Sequence, residues 1–285
     1  MASNSRRRIG STSRWMGVLL GLSFALAACG GQNVAGQAPA ATSSGDAAIR
    51  WTETAAPQGV DVPGAQWLKI EGAGGKSNNV QVAAVLRPAG PGPFPLVVWL
   101  HGSGPGLVAE EVSAATHLTS GGFVVLVGCW TPSSAEPVAR DGISVPRIPC
   151  LQNFANADDA TQALVQVGRQ LPGVKKGAIG LFGVSAGGPQ ALHYAVTASD
   201  VGAVAVDSSP RGPSKVNVPV LMLVGTVDPL VSVDEQRTYE QSLLDSGGMV
   251  EAHYYEGGLH AVSLHGDFQE DAFKRAIDFY RRYLK

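Results

Sequence analysis

The stretch that most constrains the fold of this chain runs from Ala178 to Gly188 and reads Ala-Ile-Gly-Leu-Phe-Gly-Val-Ser-Ala-Gly-Gly. An apolar run leads into Gly183-Val-Ser-Ala-Gly187, and residues 189–198 follow with helical spacing of apolar side chains. Gly-x-Ser-x-Gly between a strand and a helix is typical of a nucleophile elbow, a strained turn that exposes a serine hydroxyl. A Cβ at either glycine would strike the adjacent strand or helix. The segment therefore predicts a buried strand, a tight turn carrying Ser185, and a helix.

A catalytic role for Ser185 competes with a purely structural Gly-rich turn, because the chain contains 36 glycines and the motif also occurs by chance. The apolar strand before it and the helical pattern after it favour the catalytic interpretation. The turn would place Ser185 at the positive end of the following helix, where an oxyanion is stabilised.

Strand-like apolar runs alternate with helical segments from residue 96 onward. Besides the run before Ser185, the predicted strands are Leu96–Leu100, Phe123–Val127, Val201–Val206, Val218–Val224 and Val250–Tyr255. The predicted helices are Ala109–Thr119, Ala155–Leu171, residues 189–198, Val233–Ser246 and Asp267–Tyr283. This order predicts an α/β fold with a mostly parallel central sheet, helices on both faces, and functional loops at the carboxyl ends of the strands.

Two features fall outside this alternation. Gln66–Ile70 and Val80–Leu86 predict a pair of antiparallel strands joined by a turn at Gly72–Asn79, the second strand with one face exposed to water. Thr131–Pro149 is a long segment rich in proline and charge, which is typical of a functional loop or an insertion.

The N-terminus has the pattern of an export signal. The apolar stretch Trp15–Ala28 is preceded by four arginines, Arg6, Arg7, Arg8 and Arg14. The stretch is shorter than a typical membrane-spanning helix. The stretch ends in Leu-Ala-Ala-Cys29-Gly, which resembles the lipobox of bacterial lipoproteins, in which the cysteine is lipidated and begins the mature chain. The alternative is an ordinary secretory peptide with an incidental Cys29.

These patterns divide the chain into three parts. Residues 1–28 are the predicted signal peptide, and residues 29–50, rich in Gly, Gln, Ala, Ser, Pro and Thr, are a predicted flexible tether carrying lipidated Cys29. Residues 51–285 are the predicted catalytic domain. We therefore expect an exported lipoprotein anchored to a membrane of the bacterial cell envelope.

Composition excludes several classes of protein. A hydrophobic content of 45%, a charged content of 15% and a formal net charge of −2 describe a globular chain without the basic surface that binds nucleic acid. The sequence contains no phosphate-binding Gly-x-x-x-x-Gly-Lys loop, no His-Glu-x-x-His and no cysteine cluster. It therefore implies no metal and no cofactor.

Asp228 and His260 follow Ser185 in the order nucleophile, acid, histidine, each after a predicted strand. The loops Gly225-Thr-Val-Asp-Pro-Leu-Val231 and Glu256-Gly-Gly-Leu-His-Ala261 resemble the acid and histidine loops of α/β-hydrolases, in particular the dienelactone-hydrolase-like branch and its serine esterase relatives. The resemblance covers about residues 66–285.

The resemblance implies an α/β-hydrolase catalytic domain and a role for each residue. Ser185 would be the nucleophile, His260 the base that takes its proton, and Asp228 the acid that orients the imidazole. His101-Gly-Ser-Gly104 resembles the oxyanion loop of the family, so the backbone N–H groups of Ser103 and Ala186 would hold the oxyanion. His101 itself would support that loop. Dienelactone hydrolases carry cysteine as nucleophile, so the serine here favours ordinary esters.

Other residues compete for two of these roles. Asp207 also ends a predicted strand, and some family members place the acid one strand earlier, but Gly225-x-x-Asp228-Pro fits the usual acid loop better. The remaining histidines that we weighed and interpret as packing or solvated residues are His193, His253 and His265.

We expect a monomeric serine carboxylesterase that acts on small-molecule esters, contacts the membrane through its N-terminal lipid and binds no nucleic acid. A serine peptidase or acyltransferase with the same triad is the first alternative, because fold does not choose among these activities. A catalytically inactive, lipid-anchored binding protein is the second.

With Cys29 assigned to lipid, Cys129 and Cys150 remain as an even pair in an exported protein. Both lie at the predicted carboxyl-end rim of the sheet and bracket Thr131–Pro149. We predict a disulfide between them that pins this segment beside the active site. The alternative is two buried thiols that pack as small apolar residues.

Overall fold

The computed structural model describes residues 48–76, 78–102, 107–131, 138–140, 143–145, 148, 151–152 and 156–285. The predicted signal peptide and nearly all of the predicted tether lie outside these residues. So do three predicted site residues: Cys29, Ser103 and Cys150.

The described residues contain twelve strands and five α-helices, with a short 3-10 turn at Ala73–Gly75. In chain order the strands are β1 (Arg50–Thr54), β2 (Gln66–Glu71), β3 (Val80–Leu86), β4 (Leu96–Leu100), β5 (Val124–Gly128), β6 (Val138–Arg140), β7 (Ile143–Val145), β8 (Leu151–Gln152), β9 (Ile179–Val184), β10 (Val201–Asp207), β11 (Val220–Gly225) and β12 (Val250–Tyr255). The helices are α1 (Ala109–Ser120), α2 (Ala157–Gln170), α3 (Gly187–Thr197), α4 (Val233–Asp245) and α5 (Gln269–Tyr283).

One large sheet organises the domain. Its strand order is β1-β2-β3-β5-β4-β9-β10-β11-β12, and β8 also pairs with β3. The strands from β5 across to β12 are parallel, whereas β1, β2 and β3 pair antiparallel. After β4 the chain adds its next strand, β5, on one side, whereas after β9 it adds β10 on the opposite side. The direction in which strands are added therefore reverses between the neighbouring strands β4 and β9. Such a reversal opens a crevice at the carboxyl ends of the strands, where α/β proteins bind ligands.

The helices cover both faces of this sheet, which is the α/β-hydrolase fold. On one face α1 and α5 pack against an apolar layer in which the rings of Trp99 and Phe182 stack with centroids 4.3 Å apart. On the other face α2, α3 and α4 pack against a layer that includes Leu126 and Leu181. The central strands are buried on both faces, which explains their continuous apolar sequences. The predicted fold is therefore confirmed.

The structure corrects one expectation about the antiparallel strands. β3 does not expose a whole face to water, because Ala84 and Leu86 pack in one apolar layer while Ala83 and Val85 pack in the other. Only alternate residues near its start are partly exposed. The helices thus cover β3 as they cover the parallel strands.

Four short strands were not predicted from the sequence. β1 is mostly exposed at the edge of the sheet and pairs with β2, from Arg50 opposite Glu71 to Thr54 opposite Trp67. β6 and β7 form a separate antiparallel pair within the segment 131–149, and β8 pairs with the start of β3. Among the residues that the structure describes, no helix combines the length and apolar character needed to cross a bilayer.

Candidate active site

Ser185 occupies a strained turn between the central strand β9 and helix α3. Its φ is 50°, in the left-handed region that residues with a Cβ rarely adopt. The Ser185 N–H donates to Asp207 O at 2.8 Å, and the Gly188 N–H donates to Ser185 O at 2.9 Å. These bonds tie the turn to the neighbouring strand β10 and to the first turn of the helix.

The glycines of the turn allow backbone segments to approach closely. A Cβ added at Gly183 would lie 2.7 Å from the Cα of Gly188, and one at Gly187 would lie 2.8 Å from His101 O. Real Cβ atoms do not come this near to backbone atoms. Both glycines are therefore required by packing, as the sequence predicts.

Ala186 lies at the cap position of α3, directly after Ser185. The first N–H groups of a helix have no partner within the helix and carry its partial positive charge. Ser185 therefore lies next to the positive end of α3, where negative charge is stabilised.

His260 and Asp228 form a hydrogen-bonded pair at the carboxyl ends of β11 and β12. His260 Nδ1 donates to Asp228 Oδ2 at 2.7 Å, and the other carboxylate oxygen accepts the N–H groups of Leu230 at 2.8 Å and Val231 at 3.0 Å. The Asp228 side chain is fully buried, whereas that of His260 is 19% exposed. The bond fixes the tautomer with the proton on Nδ1, so Nε2 is the nitrogen that can accept a proton.

The loops that carry this pair are bound to each other. The Thr226 N–H donates to Tyr255 O at 3.0 Å, and the Val227 N–H donates to Gly258 O at 3.0 Å. The Gly257 N–H in turn donates to Thr226 Oγ1 at 2.9 Å. These bonds link the loops after β11 and β12, which carry Asp228 and His260.

Asp207, the competing acid, is fully buried and has other partners. Its carboxylate accepts the Val262 N–H at 3.2 Å, the Ser263 N–H at 2.7 Å and hydroxyl protons from Ser263 and Ser208. Burial raises the pKa of Asp207, and the hydrogen bonds from Ser263 and Ser208 oppose that rise. The carboxylate that binds the His260 ring is that of Asp228.

A buried carboxylate on α1 supports the turn after β4. Glu111 Oε2 accepts Trp99 Nε1–H at 2.9 Å, and Glu111 Oε1 accepts the Gly102 N–H at 3.2 Å. A Cβ added at Gly102 would lie 3.5 Å from Ser185 Cβ, so this turn lies beside the elbow. The sequence does not identify Glu111 as a buried residue, because Glu110 and Glu111 are adjacent in α1 and the pattern of apolar residues does not tell which one is buried.

A family comparison decides the affiliation of the chain. The model of the "Dienelactone hydrolase family" matches residues 82–284. The chain belongs to the dienelactone hydrolase family. Membership supports a hydrolase of the serine-hydrolase type, in agreement with the elbow and the His260–Asp228 pair. No curated protein matches this family member in sequence.

Solved structures share its fold. An esterase from Pyrococcus furiosus is 16% identical with a TM-score of 0.60, over 78% of this chain and 93% of that one. A dienelactone hydrolase from Anabaena variabilis is 16% identical with a TM-score of 0.53, over 82% and 99%. An acylaminoacyl peptidase from Pyrococcus horikoshii is 14% identical with a TM-score of 0.51, over 80% and 50%. At these identities the likeness shows the fold alone.

His193, His253 and His265 each lie near a carboxylate at the surface. His265 Nδ1 lies 3.2 Å from Glu110 Oε1, and His253 Nε2 lies 2.8 Å from Glu251 Oε1. His193 Nε2 lies 3.6 Å from an Asp158 carboxylate oxygen on α2. Within the described part of the chain, no group of three or more His, Cys, Asp or Glu residues could hold a metal ion.

His101 lies buried at the base of the turn after β4. Its Nδ1 donates to Gly102 O at 2.6 Å, and its own carbonyl accepts Trp130 Nε1–H at 2.8 Å. Burial lowers the pKa of His101 from 6.5 to about 4, against the opposing effect of the Gly102 hydrogen bond. It therefore remains neutral in the folded protein at physiological pH, which fits a support for this turn.

This depressed pKa predicts acid sensitivity of the fold. Between about pH 6.5 and pH 4 the unfolded chain protonates His101 while the folded protein does not, so stability falls as pH drops through that window. The free energy of unfolding is expected to fall by about 3 kcal/mol across this window. Denaturant unfolding of the wild type and of His101→Gln at several pH values would test it. Subtracting one profile from the other removes the contributions of the titratable groups that both proteins share. A difference in unfolding free energy that stays constant across this pH window would contradict the prediction.

Proposed function

We propose that this protein is an exported serine hydrolase that cleaves carboxylic esters through an acyl-enzyme intermediate. Ser185 is the nucleophile, His260 the general base and then acid, and Asp228 the residue that orients the imidazole. The observation that carries the proposal is the 2.7 Å bond from His260 Nδ1 to Asp228, which leaves Nε2 for proton transfer. The strained turn that carries the partly exposed Ser185, in a member of the same family, supplies the matching nucleophile.

The first half-reaction acylates Ser185. His260 Nε2 takes the proton from Ser185 Oγ as this oxygen attacks the ester carbonyl carbon. Negative charge develops on the carbonyl oxygen, and the backbone N–H groups of Ala186 and Ser103 stabilise it. The imidazolium then protonates the departing alkoxide, and Asp228 stabilises the positive ring meanwhile.

The second half-reaction releases the acid. Water takes the place of the alcohol, His260 Nε2 accepts its proton, and the resulting hydroxide adds to the acyl carbon. The tetrahedral intermediate then expels Ser185 Oγ, which recovers its proton from His260. The enzyme returns to its starting state with no other reactant consumed.

Ordinary esters are favoured over dienelactones because serine stands here where dienelactone hydrolases carry a cysteine nucleophile. A peptidase or an acyltransferase would use the same three residues. An inactive binding protein would gain nothing from the buried Asp228 carboxylate aligned on the histidine ring.

Labelling with a fluorophosphonate probe separates an enzyme from a binding protein. We expect the full-length wild type to label at Ser185, as mapped by peptide mass spectrometry, and Ser185→Ala not to label. A chain-length series of nitrophenyl esters beside a peptide panel then defines the substrate class. Absence of labelling would refute the serine mechanism, and peptide cleavage faster than ester cleavage would refute the esterase assignment.

We place the enzyme in the cell envelope, anchored through a lipid on Cys29. The support is the sequence Leu26-Ala-Ala-Cys29-Gly after an arginine-rich and apolar leader. Cys29→Ser is expected to block lipidation and to shift the protein from the membrane fraction to the soluble fraction. A mature N-terminus mapped at any residue other than Cys29 would contradict the lipoprotein proposal.

We also propose the Cys129–Cys150 disulfide. Cys129 follows β5, is fully buried, and donates its N–H to Val82 O at 3.2 Å. Leu151, the next residue after Cys150 in the chain, pairs with Gln81, the neighbour of Val82 on β3. The end of β5 and the start of β8 therefore follow one another along β3, and this proximity of the residues next to each cysteine supports the proposed bond.

Closing this loop would stabilise the fold by roughly 3 kcal/mol in the chain-entropy account, less any strain. Thiol counting on denatured, unreduced mature protein is expected to find no reactive thiol at either position. Two reactive thiols would refute the bond. Reduction is expected to lower the midpoint of unfolding, and Cys150→Ser provides the matched control in which reduction has no further effect.

A further inference from the structure

The segment after His260 is held by two consecutive residues at the end of β10. The Ala261 N–H donates to Ser208 Oγ at 2.8 Å. The next two N–H groups, of Val262 and Ser263, donate to the Asp207 carboxylate at 3.2 Å and 2.7 Å. Three successive backbone N–H donors therefore bind the dipeptide Asp207-Ser208 at the end of β10, whereas the acid Asp228 lies in the loop after β11.

Asp207 also binds the nucleophile residue. Its backbone carbonyl accepts the Ser185 N–H at 2.8 Å, while its side chain binds the segment after His260. It pairs with Val184 of β9 on one side and with Leu223 of β11 on the other. One fully buried residue thus joins the elbow to the histidine segment.

The backbone at these positions adopts conformations that need external support. Ser185, Ser208 and Ala261 are the non-glycine residues with positive φ among the described residues, at 50°, 51° and 60°. This left-handed region is disfavoured for side chains with a Cβ. All three lie at the ends of the hydrogen bonds just described, so the network holds strained backbone at Ser185 and at Ala261, the residue after His260.

The hydrogen bonds of Asp207 leave it no role as the acid. An ionised carboxylate has about four acceptor sites. Here the N–H groups of Val262 and Ser263 and the hydroxyls of Ser263 and Ser208 use four. The carboxylate is fully occupied by the support of this segment.

We propose that Asp207 and Ser208 are positioning residues that set the place of the His260 imidazole relative to Ser185. This inference rests on the proposed function, in which His260 transfers the proton of Ser185. Asp228 binds one ring nitrogen, but one hydrogen bond does not fix the Cα from which the ring extends. The bonds to Asp207 and Ser208 fix the backbone immediately after it.

Ser208→Ala tests the proposal with a mild change, and Ser209→Ala is its matched control. Ser209 is a neighbouring, fully buried serine whose hydroxyl donates to Arg211 O instead of binding residues 261–263. We expect Ser208→Ala to lower kcat for a nitrophenyl ester about 10-fold with KM nearly unchanged. Asp207→Asn, which replaces an acceptor by an amide donor, is expected to lower kcat about 100-fold, as ångström-scale misplacement does. Ser209→Ala should keep the wild-type kcat.

Repeating the substitutions in the His260→Ala variant separates a positioning role from general damage to the fold. If Asp207 and Ser208 act through His260, adding either change to His260→Ala leaves the residual hydrolysis unchanged. A further loss in that background, or a wild-type kcat in Ser208→Ala, would overturn the inference. Denaturant unfolding of each variant shows whether it is folded. If Asp207→Asn does not fold, the kinetics of Ser208→Ala alone decide the test. Loss of activity in Ser185→Ala is the separate test of the proposed function.

Discussion

Ser185→Ala is expected to remove acyl-enzyme formation and to lower kcat by about 10⁴- to 10⁶-fold. The reason is that alanine has no hydroxyl to form the covalent intermediate, so only transition-state binding by the remaining groups is left. The side chain lost is small and partly exposed, and the left-handed backbone at residue 185 is held by bonds of its main chain. The variant should therefore fold with nearly the stability of the wild type.

Steady-state kinetics with a nitrophenyl ester would measure this loss, with denaturant unfolding as the check on the fold. His260→Ala should cost nearly as much as Ser185→Ala, since the residues of such a triad act as a unit. Asp228→Asn should lower kcat about 10⁴-fold, because the amide favours the wrong imidazole tautomer. If Asp207→Asn proves more damaging than Asp228→Asn, the acid has been assigned to the wrong residue.

The parts of this fold that the sequence could predict are those that a single local pattern specifies. β9 is apolar at nearly every position because helices cover both faces of the sheet, and the two glycines around Ser185 are needed for backbone contact. Asp228 and His260 lie in short loops directly after strands, so the parallel order of those strands brings the loops to one edge of the sheet.

The parts that could not be predicted depend on contacts between distant segments. β1 is mostly exposed and lacks an apolar run, so only its pairing with β2 identifies it as a strand. Asp207 was recognised as a strand-end carboxylate, but its bonds to the segment after His260 depend on how β10 lies beside β9 and β11. The loop motif around Asp228 favours it as the acid, but only three-dimensional placement shows what the Asp207 carboxylate binds.

Gly187→Ala is expected to disrupt both the fold and the activity. The new Cβ would lie 2.7 Å from the carbonyl carbon of Leu100 and 2.8 Å from His101 O, and these atoms belong to the fully buried end of β4 and the turn after it. Neither side can move freely, because β4 lies between β5 and β9 and the elbow is bound to Asp207. Overpacking of this kind costs about 3 kcal/mol.

The same overlap affects chemistry, because the backbone that must move lies between the elbow and the turn after β4, where the oxyanion is proposed to bind. We expect Gly187→Ala to lower kcat more than 100-fold even at temperatures where it is folded. Gly64→Ala is the matched control: its φ is 79°, and an added Cβ meets nothing within 4 Å. It should cost about 1 kcal/mol from backbone strain alone and keep full activity. Equal stability and activity of the two variants would show that close backbone contact at Gly187 does not hold the elbow in place.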